Sequence, residues 1–509
     1  MPLNLLIDPW IPVLREHGSD VIRPDQIAEP GVMMLNWPRP DLNLACMELL
    51  IGLVYLAAPP RGITDWRARR PDPAGLRTAL ALLAPAFNLT GDGPLFLQDL
   101  EPLQGEPSAP DMLFIDSAGA STTGKNADLM VKREHYASLD LPLAAMALYT
   151  LQAHAPAGGA GNRTSMRGGG PMVTLVRPEE GGACPLWALI WANVPDGVAL
   201  PPNKLGKLPW MRATRTSEAG AVVEQPQCDH TPPEVFFGMP RRLRLLEADG
   251  RVTGVIQKPW GANYGLWRHP LTPYYALKEG ADILPKHPKP GAFAYRNWLG
   301  ILMEAPVGKG SLAYRAQTVA EYAQRAKFPN ASILVAGWAM SNMSPLDFLW
   351  SEQPLFVLTP EASDTAAMLV AGADLASRAL VMALRDVQAM DATEGTRLDP
   401  EREEFYLATQ AGFVAAVSAL AQGEAAEGIR AAWLVTLRSQ VLAQFDAVAL
   451  NGLAERDITP RDTPSFSRRP TVQRIIATRG QLLGNLHGQK IHGALGLTPP
   501  EPVKRKVKA

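Results

Sequence analysis

Apolar positions follow two different textures along the 509-residue chain. Up to about residue 360, short apolar runs alternate with Pro- and Gly-marked breaks, which predicts an irregular mixture of strands and a few helices. Leu3–Ile7 reads as a strand, and Ile11–Leu14 as its continuation beyond Pro9-Trp10. Asn43–Ala57 and Leu141–Gln152 are apolar with helical spacing, and Met172–Val176 is a strand-like run. From about Glu361 the period lengthens. Four helical patterns follow, at about 364–390, 401–421, 425–450 and 468–491. In the third, Ile429, Trp433, Leu437, Val441, Phe445 and Val448 recur every three or four residues, which is one helix face. The expected fold is mixed α/β (α+β). It consists of a large irregular domain over 1–360, a four-helix bundle over 361–500 and a disordered basic tail over 501–509.

Composition sharpens this picture. Hydrophobic residues are 47% of the chain, enough for a full core, and charged residues are only 19%. The 47 prolines and 43 glycines exceed the usual share of about 12% for the pair, but they are spread without a repeat. Collagen and low-complexity disorder are excluded. Net charge is −1, so any nucleic-acid contact must rest on locally concentrated charge. The three cysteines form no CxxC pair, which excludes a zinc ribbon and suits a reducing, cytoplasmic compartment. No continuous run of about 18 apolar residues is seen, and the opening segment lacks a basic n-region; neither a membrane span nor a signal peptide is expected.

Charge is split in the helical half. Residues 361–457 carry 15 acids and 7 bases; residues 463–509 carry nine bases and one acid. Either the last helix neutralises the first three, or Arg468, Arg469, Arg474 and Arg479 present a basic face to DNA or to an RNA-bound partner. The second reading is the expectation carried forward.

No GxxxxGK[ST], HExxH or GxSxG motif is present. Cys228-Asp229-His230 has no second partner at metal-ligand spacing, so neither a metal nor a cofactor is expected. The most unusual stretch is Ala155–Gly170, in which six of sixteen residues are Gly. It lies within an acid-free window, Leu141–Pro178, that contains Arg163, Arg167 and Arg177. Bare backbone approaches a ligand closely and can form anion-binding concavities. This suits a phosphate or a narrow groove.

Three blocks in order resemble a known family. Asn4-Leu5-Leu6-Ile7-Asp8-Pro9-Trp10-Ile11-Pro12-Val13, Arg167-Gly168-Gly169-Gly170-Pro171-Met172-Val173-Thr174 and Gly265-Leu266-Trp267-Arg268-His269-Pro270 are similar to segments of the CasA family. That family is the large subunit of the type I-E CRISPR surveillance complex, Cascade. The resemblance implies a non-catalytic subunit of an RNA-guided antiviral complex. Such a subunit reads the protospacer-adjacent motif (PAM) of double-stranded DNA in the minor groove, helps start duplex opening and recruits a helicase-nuclease. Its implied partners are guide RNA, double-stranded target DNA and the backbone, small and 5′-handle-binding subunits.

By the same resemblance, the glycine loop matches Gly158, Gly159, Ala160 and Gly161, and the lysine finger matches Lys258. The wedge hairpin falls at 339–344, with Ser341 and Asn342 at its tip. Asn126, Leu129, Met130 and Val131 match the loop that contacts the guide RNA 5′ handle or neighbouring subunits. The minor groove is about 6 Å wide and offers mainly acceptors, which a glycine backbone and one extended Lys can meet. Two rivals stand beside this reading: a phosphate- or nucleotide-dependent enzyme using the Gly-rich loop at 158–170, and an architectural subunit without DNA contact.

Overall fold

The computed structural model describes residues 2–117, 124–125, 135–159, 161–179, 183–305, 312–326, 331–388, 397–451 and 471–499. The fold is mixed α/β with C-terminal helices. One compact unit comprises Met1–Pro290 and Gly308–Leu355; the other comprises Gly291–Val307 and Phe356–Ala509.

Among the described residues the first unit holds four three-stranded antiparallel sheets. Strands β1 (Ile11–Arg15), β2 (Gly18–Ile22) and β3 (Val32–Leu35) form the first, in the order β2-β1-β3. Helices α1 (Pro40–Ala57), α2 (Ile63–Ala68) and α3 (Pro73–Ala81) follow. Then come β4 (Leu139–Asp140), α4 (Leu141–His154), β5 (Val173–Pro178) and α5 (Leu186–Ala192). Asp140 caps α4 by accepting from the Leu143 N–H at 2.8 Å. Strands β6 (Arg242–Ala248) and β7 (Arg251–Lys258) pair with β4 in the order β4-β7-β6. A small sheet of β8 (Tyr274–Ala276), β9 (Ile283–Pro285) and β10 (Leu312–Tyr314) precedes α6 (Gln317–Arg325). The hairpin β11 (Ala331–Ser341) and β12 (Ser344–Pro354) adds to β5 in the order β12-β11-β5.

Leu3–Ile7 is not the strand that its apolar run suggests. Asn4 makes a single bridge to Asn88, and the chain then turns, because the Asn4 side chain accepts from the Leu6 N–H at 3.1 Å. Leu5 and Leu6 still enter the core, where Trp10, α1 and α4 meet.

The second unit contains α7 (Pro360–Gln388), α8 (Asp399–Ala421), α9 (Ala426–Leu450), α10 (Thr471–Leu486) and α11 (Gln489–Ala494). The last helical pattern is therefore broken at His487-Gly488. Segment 291–307 belongs to this unit through its aromatics: Tyr295 stacks on Phe413 at 4.2 Å, and its hydroxyl is 2.8 Å from Thr409 Oγ1.

Among the described residues three helices, α1, α7 and α8, are long and apolar enough to cross a bilayer, contrary to the expectation from continuous runs. Helical hydropathy averages over scattered polar positions that interrupt a run. In α1, 83% of the apolar window is buried inside the fold, and in α7, 61%. In α8 the buried positions Phe405, Tyr406, Thr409, Phe413, Val417 and Leu420 mark one face turned to the bundle.

Candidate nucleic-acid interface

The register of β5 decides where the glycine-rich stretch lies. Val173 pairs with Ala336, so the residues before Val173 run alongside the distal half of the β11–β12 hairpin. A Cβ on Gly170 would stand 2.5 Å from the Trp338 carbonyl, and one on Gly169 would stand 3.0 Å from Met343 Sδ. These glycines are needed for strand-to-loop packing. They also bring the loop beside the hairpin tip. Asn342 and Met343 form that tip with φ of 47° and 66°, the signature of a two-residue type I′ turn. Ser341 and Ser344 are the last pair of the ladder, and Met343 is exposed.

The tip of the glycine loop closes on itself. The Gly158 N–H donates to the Asn162 carbonyl at 3.2 Å, and the Asn162 N–H donates to the Gly159 carbonyl at 2.8 Å. Gly159 has φ 64°, and a Cβ there would meet no atom within 4 Å, so this position opens outward. Gly158 and Gly161 are glycines for internal reasons. A Cβ on Gly158 would stand 2.8 Å from Arg241 Nη1, and one on Gly161 would stand 2.9 Å from the Trp260 ring. Arg241 is buried beneath the loop, and its Nη2 donates to the Pro156 carbonyl. Burial pushes this guanidinium down to about 10.

The same loop is fastened to the end of β7. Gln257 Nε2 donates to Asn162 Oδ1 at 2.6 Å, and the Trp260 N–H donates to the Gly161 carbonyl at 2.9 Å. Lys258 lies between these two anchors in sequence but on the strand face opposite Gln257, half-buried beside Ile256 with its ammonium near Gly105. Among the described residues of the first unit, the glycine loop, the Lys258 segment and the Ser341–Asn342 tip thus lie on connected structure. Ala160 lies outside the described residues, as do Asn126, Leu129, Met130 and Val131 of the suggested RNA-handle loop.

A buried charge cluster supports the base of this loop. Glu48 of α1 is fully buried; its Oε1 is 2.8 Å from His154 Nε2 at the end of α4, and its Oε2 is 2.8 Å from Arg167 Nη1. His269 Nε2 is 3.9 Å from the same carboxylate. Burial alone would raise the Glu48 carboxyl, but Arg167 foremost, with the hydrogen-bonded His154, outweighs it and holds it well below the ordinary carboxylate range. Burial, reinforced by Arg167, pushes His269 well below the ordinary imidazole value. Arg167 also donates to Thr272 Oγ1 at 3.2 Å and to the Ala153 carbonyl at 3.3 Å. The two sequence blocks around Arg167 and His269 therefore converge on one carboxylate from α1. Arg167 is committed to this cluster, and Arg177 pairs with Glu352 at 2.6 Å. Of the three arginines in the acid-free window, Arg163 remains at the loop, where its Nε donates to Ser217 Oγ at 2.8 Å.

The proposed basic face of the last helices is corrected at both described positions. Arg474 is buried and donates from Nη2 to the Val387 carbonyl at 3.0 Å. Arg479 makes a two-point ion pair with Asp446 of α9, at 2.7 and 2.8 Å. Both side chains are turned to neighbouring helices, and of the two it is Arg479 that meets a carboxylate, the neutralising alternative at that position. Arg468 and Arg469 lie outside the described residues, as does the tail 501–509. We expect Arg479→Ala to cost no more than about 1 kcal/mol, because the pair is partly solvated. Arg474→Ala should cost about 1.5–3 kcal/mol for its buried charged hydrogen bond. Thermal unfolding checks both values, and filter binding should find nucleic-acid affinity per folded molecule unchanged in each.

The family model for CRISPR-associated protein Cse1 matches residues 4–444. Among solved structures, Thermus thermophilus CasA (Cse1) is similar at 19% identity, covering 97% of this chain and 99% of that one, with a TM-score of 0.67. Thermobifida fusca Cse1 is similar at 15% identity, covering 98% and 99%, with a TM-score of 0.68. A chain of a CRISPR RNA-guided surveillance complex is similar at 16% identity, covering 95% and 99%, with a TM-score of 0.70. At these identities the structural likeness is one of fold.

Proposed function

Since the chain belongs to the CRISPR-associated protein Cse1 family, we propose that it is a non-catalytic, DNA-reading subunit of an RNA-guided surveillance complex in the cytoplasm. Its partners are guide RNA, the other complex subunits, double-stranded target DNA and a recruited helicase-nuclease. The glycine loop enters the minor groove at the PAM, Lys258 meets the groove or a phosphate, and the Ser341–Asn342 tip wedges the adjacent base step. Guide pairing then reads the rest of the target.

The observation that carries this reading is the outward-open Gly159 on a loop bound on one side to the Lys258 segment and packed on the other against the hairpin tip. Backbone and small side chains suit a groove about 6 Å wide, where readout is degenerate, so several PAMs should be accepted. A type I′ turn is short and stiff, which a wedge requires.

The test is filter binding of PAM duplex to the chain assembled with guide RNA and partner subunits, beside a phosphohydrolase assay. PAM-dependent retention without hydrolysis supports the reading. Hydrolysis without retention would replace it with the enzyme reading, and neither property would leave an architectural subunit. In the same assay Lys258→Ala should reduce the magnitude of the log K against log salt slope by about 0.9, one phosphate contact. An unchanged slope and affinity would remove Lys258 from the interface.

A further inference from the structure

Trp260 is held in a conformation that bulky residues avoid. Its φ is 64°, in the left-handed region, where an aromatic side chain persists only if its surroundings impose it. Those surroundings are residues of the glycine loop and one neighbour. The Trp260 N–H donates to the Gly161 carbonyl at 2.9 Å, and its own carbonyl accepts from the Ser217 N–H at 3.1 Å. The indole lies so close to Gly161 that any Cβ there would be 2.9 Å from the ring. The Arg163 guanidinium stands 5.3 Å from the ring centroid, while its Nε donates to the same Ser217. Yet Trp260 is 39% exposed and, among the described residues, does not belong to the buried apolar clusters of this unit. A strained, exposed indole adds little to a core. What it does is tie three consecutive loop residues, with the help of the Gln257–Asn162 bond, to the end of β7.

We propose that Trp260 is a positioning residue that clamps Gly161–Arg163 to the end of β7, so that the loop backbone meets duplex DNA as a preformed surface. The inference rests on reading the glycine loop as the DNA face. Preformed surfaces bind more tightly because ordering is not paid for on association. Removing the clamp loosens the loop without deleting a phosphate contact.

The experiment uses the chain assembled with guide RNA and partner subunits, and a PAM-bearing target duplex. Trp260→Ala, Trp260→Phe, Lys258→Ala and Gly159→Asp are compared by affinity, salt slope and thermal unfolding. Trp260→Ala should weaken binding about tenfold, mainly through faster dissociation. Its salt slope should match the parent, unlike that of Lys258→Ala. Its unfolding temperature should also match the parent, and Trp260→Phe should recover most of the affinity. Parental affinity in Trp260→Ala alongside lost affinity in Gly159→Asp would overturn the clamp and spare the DNA face. A lowered unfolding temperature, or no recovery with Phe, would also overturn it. Parental affinity in Gly159→Asp would instead bring down the DNA-face reading, and the clamp with it.

Discussion

Replacing Gly159 by Asp is expected to lower affinity for a PAM duplex by at least about 100-fold, some 2.7 kcal/mol, while the chain stays folded. The fold is spared for two reasons. A Cβ at this position meets nothing within 4 Å, and Asp tolerates a positive φ better than most residues. Binding is lost because the new carboxylate stands where the bare backbone faces outward, toward an acceptor-rich groove lined by phosphates. Like charges brought together at an interface cost several kcal/mol. The neighbouring glycines are poorer probes: Gly158→Ala strikes Arg241 and Gly161→Ala strikes Trp260, so either change would distort the loop before DNA is met. Filter binding of the assembled complex, with circular dichroism of the free chain, checks both halves of the prediction. Undiminished affinity would dismiss the loop as the reading element.

Glu48→Gln is expected to destabilise the α/β unit by about 3–5 kcal/mol, the cost of leaving a buried partner charge uncompensated. Arg167, itself buried, would lose its carboxylate, and His154 would lose its charged partner. The double variant Glu48→Gln/Arg167→Gln should be less destabilised than the sum of the single changes, since each alone leaves the other orphaned. The pH dependence follows from the directions of the shifts. Glu48 is held below the ordinary carboxylate range, so its contribution is present above about pH 4.5 and is lost as pH falls through its folded value. His269 is kept neutral, so acidification below about pH 6.5 also disfavours the folded state. The parent should therefore lose stability steadily from pH 7 downward. Glu48→Gln should lose only the most acidic part of that dependence. Thermal unfolding across pH measures this, and an acid limb unchanged in Glu48→Gln would contradict the assignment.

Much of the fold is legible in the sequence because periodicity is local. The face Trp433, Leu437, Val441 and Phe445 predicts α9, and all four residues are buried. The glycine-rich stretch is legible because small residues mark bare backbone, whereas the hairpin tip at Ser341–Asn342 follows from the family resemblance alone. What is missed depends on contacts distant in sequence. Glu48 and His154 are 106 residues apart, and only the fold joins them. A signal was available: Glu48 is the one charged residue in the apolar run from Leu42 to Ala57. Trp260 and Met343 are missed because neither residue type advertises a positive φ. Arg474 and Arg479 are misread because charge counting along the chain cannot tell a face turned to solvent from one turned to Asp446 or to a backbone carbonyl. At Leu3–Ile7 an apolar run sits in a turn, since the Asn4 side chain captures a backbone N–H that a strand would have used.

The proposed function is the reading of a short duplex motif through the glycine loop of this chain within a guided complex. It is tested most directly by binding the assembled complex to guide-matched duplexes whose adjacent base pairs are randomised, then sequencing the retained pool. The parent should enrich a small, degenerate set of motifs, and Gly159→Asp should return the pool to the input distribution. A parent pool as random as the input, or an enrichment that survives Gly159→Asp, would contradict it.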